Sequence, residues 1–188
     1  MCHFITGLIT KQTTLEEINA IGRNHVITFD VCNNSFVRSQ LNADEIYLAK
    51  RTKYCDCDTQ VGMKTRTDDP TTRRIDKREL DKLKSKGWSE TKIARWLADR
   101  EKSVEKDKVR YDQIVNGTHT DIENWLGYIH KLFAETTIPR FGLLLHWYAS
   151  GTESERIKVK GRVIIRLTEL TPDVLLGVEE DTVYEFRR

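Results

Sequence analysis

Phe4, Ile5, Leu8 and Ile9, set among short polar residues, predict a buried first strand near the start of the chain. Thr14 and Glu17 have the spacing of a capping box, so a helix follows, with Leu15, Ile18 and Ile21 on one face and Gly22 as its expected stop. From Val26 to Cys32 the pattern turns to alternation, which predicts a strand with Ile27, Phe29 and Val31 on one side. Asn33 and Asn34 break it, and a short turn or helix through Phe36, Val37 and Leu41 leads to a further strand over 45–51. Residues 59–75 are polar and read as a loop.

The period then changes. Leu80 and Leu83 mark a helix over about 76–86. Gly87 turns the chain, and Ser89 is placed to cap a long helix from about 90 to 115. Leu97, Val104 and Tyr111 recur at heptad spacing along it, separated by a densely charged stretch, and Asn116-Gly117 is the expected end. A second Thr-x-x-Glu box at Thr120 opens a helix whose Ile122, Trp125, Leu126, Ile129 and Phe133 share one face. An antiparallel pairing of these last two helices is expected.

The final third is β. Residues 141–148 are apolar on both sides, as in a central strand. Residues 157–167 alternate, Val174–Val178 reads as apolar strand after Pro172, and 181–186 as a short charged edge strand. Strands, then helices, then a meander define an α+β class: an antiparallel or mixed sheet from N-terminal and C-terminal strands, with a central helical hairpin. The organisation expected is one domain over 1–188 with 76–135 as a helical insertion.

Composition narrows the class. Hydrophobic residues make up 38% of 188 and charged residues 32%, so a packed core is affordable beside a charge-rich surface. Residues 50–110 hold 19 Lys/Arg against 12 Asp/Glu, a balance of +7 that leaves −5 elsewhere in a chain of net charge +2. A basic segment on an acidic body suits an acidic partner. No apolar run reaches the length of a membrane span, and no signal-peptide pattern opens the chain. Four cysteines without such a signal fit a reducing compartment, and a soluble cytoplasmic protein is expected.

Cysteine spacing carries the candidate chemistry. If the strands at 2–9 and 45–51 pair antiparallel, Cys2 meets Cys55 and Cys57 at one end of the sheet. Residues 55 and 57 share a side on an extended chain, so three thiols converge, and soft thiolates bind zinc. The expected ligands are Cys2, Cys55, Cys57 and His3. His3 joins only if the strand end departs from regular pleating, with His146 as the other candidate fourth ligand.

Cys2 also has a second reading. Removal of Met1 would leave its α-amine, with a pKa near 8, as a base beside the thiol. A cysteine at position 2 opening an apolar strand resembles the start of class II glutamine amidotransferases. That resemblance implies a Cys2 nucleophile and an oxyanion-hole Asn-Gly, to be sought at Asn116-Gly117. The chain departs from the pattern at His3, where those enzymes carry glycine.

Gly87–Leu97 resembles the turn and opening helix of a helix-turn-helix, but the helix runs on without a second turn. Trp96, Trp125 and Trp147 are read as core and Trp88 as a partner contact. No phosphate-binding glycine loop, two-histidine metal helix or Gly-x-Ser-x-Gly elbow is present. The sequence therefore points first to a protein that binds a macromolecule, in the manner of an immunity or antitoxin-like inhibitor. Trp88, Lys92, Arg95, Arg100 and Lys106 are the contacts, and another protein is the partner ahead of nucleic acid. A Cys2-dependent amidohydrolase or amidotransferase is the alternative, and whether the protein is an enzyme stays open at this stage.

Overall fold

A computed structural model describes residues 2–51, 54–62, 77–116 and 120–188. The chain divides into two compact units, Met1–Lys64 with Thr118–Arg188, and Thr65–Gly117. Within the expected insertion, the helices up to residue 116 fall in the second unit and the helix from residue 120 in the first.

The first unit is built on a six-stranded sheet of order β2-β3-β1-β4-β6-β5. Strand β1 (Cys2–Thr10) lies near its centre, antiparallel to β3 (Glu45–Lys50) and to β4 (Arg140–Tyr148). Strand β2 (Phe29–Val31) pairs antiparallel with β3, and β6 (Thr182–Arg187) with β4. Strand β5 (Gly161–Arg166) runs parallel to β6. The α+β class and the mixed sheet follow the sequence pattern.

Pleating divides the side chains between two faces. Ile5 and Ile9 of β1, with Phe141, Leu143 and Leu145 of β4, meet helices α1 (Leu15–Gly22), α5 (Thr120–Glu135) and α6 (Pro172–Leu176) in one core. Trp125, Tyr128, Ile129 and Leu132 of α5 are fully enclosed there. Each such side chain contributes roughly 1.5–3 kcal/mol through removal from water. On the opposite face Leu8, Tyr47, Leu144, Tyr148 and Val183 form a second core, completed by Cys32, by Val37 of α2 (Ser35–Arg38) and by Ile157.

The Thr14 capping box forms as expected, with the Thr14 and Glu17 side chains each accepting from the other's backbone amide. Helix α1 ends at Gly22, as expected. The chain continues through a 3₁₀ turn, and Val26 takes the left-handed conformation (φ 58°), 82% exposed. The strand expected from Val26 therefore begins only at Phe29, and Val31 faces solvent. Asn19 lies against Phe29 like a neighbouring strand. Its Oδ1 accepts the Phe29 amide at 2.7 Å, and its Nδ2 donates to the Phe29 carbonyl at 2.9 Å.

The last third departs further from expectation. Val174 is not in a strand: Thr171 caps a helix with Pro172 in its first turn, where a missing amide costs nothing. This short helix lets β6 run parallel to β5. Strand β6 is interior, because Thr182–Phe186 are buried and β5 takes the edge. Its charged Glu185 is not solvated either; Arg162 and Arg187 satisfy it within the sheet unit. Residues 157–160 lie outside β5, and Gln40 bonds to the backbone of Ile157 and Val159 in the manner of a strand partner.

In the second unit, α3 (Lys77–Ser85) ends where Trp88 and Gly87 return their amides to Leu83 and Lys84, with Gly87 at φ 75°. Ser89 then caps α4 (Glu90–Asn116), accepting the Lys92 amide at 3.3 Å. Arg100 of α4 pairs with Glu79 of α3 at 2.8 Å. Ile93 is buried, and Trp96, Leu97 and Val104 are half-buried on the same side. The remainder of the heptad seam, Tyr111, lies outside the described side chains, as does the Thr120 cap; Gly117 and most of the expected 59–75 loop lie outside the described residues.

Candidate metal centre

The site begins with a mismatch of strand lengths. Strand β4 accompanies β1 from Cys2 to Ile9, but β3 accompanies it only from Thr6 to Thr10. On the β3 side the amides of His3 and Ile5, two residues apart and so directed alike, have no strand to bond to. A 3₁₀ turn at Asp56–Asp58 fills the gap. The Ile5 amide donates to Asp56 Oδ2 at 2.8 Å, and the His3 amide donates to Cys57 Sγ at 3.1 Å.

Asp56 is 1% exposed, and its other oxygen accepts Lys50 Nζ at 2.5 Å. The Lys50 ammonium also lies 5.9 Å from the Trp125 ring centroid. Such a carboxylate is tolerable in a core because a cation and backbone donors replace its water. The turn is held from its other end as well. Thr59 bonds back to the Asp56 carbonyl, Val61 is buried in the main core, and the Gln60 amide donates to Asp121 of α5 at 2.7 Å.

These constraints bring the thiols together. The sulfurs of Cys2, Cys55 and Cys57 all lie within 4.8 Å of one another, close enough to hold a metal ion. Zinc–thiolate bonds of about 2.3 Å in a tetrahedron set sulfurs roughly 3.8 Å apart, within that limit. The pairing of β1 with β3 brings the site together as the strand pattern implies. The two sulfurs of the Cys-x-Cys pair converge through a 3₁₀ turn, however, not through an extended segment.

Electrostatics distinguish the thiols. Burial opposes ionisation of Cys55, but hydrogen bonds from the Cys57 backbone and thiol and from the Cys2 thiol outweigh it and hold its pKa below the ordinary value. Burial pushes Cys57 up to about 11, despite the His3 amide. Cys32 stands apart, 1% exposed in the second core, with its thiol directed at the Thr152 carbonyl and its pKa raised by burial.

Neither candidate fourth ligand turns its ring to the thiols. His3 Nε2 meets Glu180 Oε1 at 2.5 Å, its ring edge-on to Trp147 at 4.5 Å. Trp147, expected in the core, is 36% exposed at the end of β4. His146 Nδ1 meets Asp181 Oδ1 at 2.5 Å, and Lys160 bonds the second Asp181 oxygen at 3.0 Å. His146 Nε2 is buried without a hydrogen-bond partner among the described residues. Asp56 and Lys50, which shape the site, carried no sequence signal. A charged residue between two cysteines reads as solvated, and only the unequal strand lengths hinted that something must bond to β1 there.

Of the expected partner contacts, Lys92, Arg95 and Lys106 are exposed, and Lys92 Nζ lies 4.1 Å from the centroid of the half-buried Trp88 ring. Arg100 is engaged within its own unit by Glu79 and by the Trp96 ring at 5.1 Å. No helix among the described residues is long and apolar enough to cross a membrane. Comparison with protein-family models, curated proteins and solved structures found no match to this chain.

Proposed function

We propose that the protein binds a soft metal ion through the thiolates of Cys2, Cys55 and Cys57, with zinc as the ion these ligands suit among common divalent cations. The observation that carries this reading is the mutual approach of the three sulfurs to within 4.8 Å where β1 meets a turn anchored by a buried carboxylate. Among the described residues the protein supplies three sulfurs, and zinc would take its fourth ligand from solvent or from a bound molecule. Cobalt substitution tests the reading. One equivalent of Co²⁺ is expected to give thiolate-to-cobalt charge-transfer absorption that is lost in Cys55→Ser and Cys57→Ser and kept in Cys32→Ser. Absence of binding by fully reduced protein overturns it.

A second reading concerns the Thr65–Gly117 unit and keeps the expectation of a protein partner. At about 100° per residue, Lys92, Arg95, Lys102 and Lys106 fall on one side of α4, with Asp99 among them and Glu90, Glu101 and Glu105 on another. All four basic side chains are exposed. This stripe supports recognition of an acidic protein surface, a role of the immunity or antitoxin-like type. Reversing Lys92, Arg95 and Lys106 to glutamate is expected to abolish capture of a stoichiometric partner from the source cell. Unchanged capture overturns it.

A further inference from the structure

We infer that the trithiol site is fitted to a trivalent, three-coordinate thiophilic metalloid, of which arsenous acid is the simplest source. This rests on reading Cys2, Cys55 and Cys57 as one ligand set, and it names which ion that set prefers.

Coordination number is the first argument. Among the described residues the cluster contains three ligand atoms and no fourth. Both Asp56 oxygens accept protein donors, and neither ring nitrogen of His3 or of His146 joins the three sulfurs; His3 Nε2 meets Glu180 and His146 Nδ1 meets Asp181. A structural zinc site closes with four protein ligands. Trivalent arsenic instead forms three bonds in a pyramid, with a lone pair in the fourth direction, and three sulfurs complete it.

Charge is the second argument. Three thiolates around a divalent ion leave one net negative charge in a half-buried site. Among the described residues Lys50, on the strand that leads to the turn, is already paired with Asp56. A trivalent centre makes the group neutral, which avoids the cost of burying an unpaired charge.

The reaction needs no oxidant or reductant. Arsenous acid, As(OH)₃, exchanges its three As–O bonds for three As–S bonds. Each thiol proton leaves with a displaced hydroxide, so three waters are released and arsenic keeps its oxidation state. Because the turn and β1 already hold the sulfurs together, the second and third bonds form without ordering new chain.

The test is a titration of the reduced full-length chain with sodium arsenite, with and without excess zinc, read by thiol counting and by native mass. One equivalent is expected to mask three thiols and to add one arsenic less three hydrogens, and excess zinc should not prevent it. Cys2→Ser and Cys55→Ser should each weaken binding by at least about tenfold through loss of one chelate arm, while Cys32→Ser should not. Circular dichroism of each variant confirms that it is folded. Arsenite held as tightly by Cys2→Ser as by the parent, or excluded by zinc, overturns the inference. The two readings fail separately: arsenite uptake without any cobalt or zinc binding leaves this one standing and removes zinc, and the reverse result removes this one alone.

Discussion

The backbone amide of Ile5 donates to Oδ2 of Asp56 at 2.8 Å, so a side chain occupies the place on β1 that β3 vacates. Asp56 binds Lys50 with its other oxygen, the carboxylate 1% exposed and the ammonium half-buried. Asp56→Ala is expected to cost about 2–3 kcal/mol, because it leaves a buried amide and a half-buried ammonium without partners. Asp56→Asn should cost less, since its carbonyl still accepts the Ile5 amide. Urea unfolding measures both, and Co²⁺ affinity should fall in step with the loss of the turn.

Gly62 gives a second handle on the same turn. A Cβ there would lie 2.1 Å from the Asp56 carbonyl oxygen, backbone that cannot rotate away. Gly62→Ala is expected to destabilise by about 1–3 kcal/mol or more and to disperse the thiols. Gly87→Ala is the contrast. Nothing lies within 4 Å of its added carbon, and only the left-handed conformation at φ 75° is strained, at a cost of about 1 kcal/mol. It should leave cobalt absorption unchanged.

Glu45 should govern acid stability. Burial opposes its ionisation, yet hydrogen bonds from Arg162 and from the Asn42 amide outweigh this and hold its pKa below the ordinary value. A carboxyl depressed in the folded state contributes fully above its unfolded pKa of about 4.3, and the contribution disappears as pH falls through the lower folded value. Unfolding free energy should therefore drop as pH falls below about 4. Glu45→Gln should flatten that dependence while lowering stability at neutral pH.

Cys32 should report on global unfolding. It is 1% exposed, its thiol is directed at the Thr152 carbonyl, and burial raises its pKa. Alkylation by iodoacetamide is expected to follow the denaturant unfolding curve, whereas Cys2 and Cys55 should react in native protein. Rapid native labelling of Cys32 would show that the second core opens locally.

Much of this was legible from residue pattern. The apolar run of β1, the Thr14 capping box and the central strand β4, apolar on both sides, set the class, and the antiparallel pairing of β1 with β3 brought the thiols to one end. What escaped had physical causes. Val174–Val178 is as apolar as a strand, and only Thr171 and Pro172 betray a helix start. Asp181 and Glu185 suggested an edge, because a charged side chain looks the same whether water or Arg162 answers it. Asp56 escaped for the same reason: its partners, Ile5 and Lys50, are brought to it by tertiary structure alone.

The unequal partners of β1 have a consequence for self-association. A central strand with two free amides is a template on which another chain can add, and such openings promote aggregation. Here the opening is plugged by one carboxylate and one sulfur from a single turn. Asn19 does the same for Phe29 at the far side of the sheet. A ligand bound as proposed would therefore also guard the sheet: locking the turn shut would keep molecules apart, and an agent that pulled Cys57 away would expose a sticky strand.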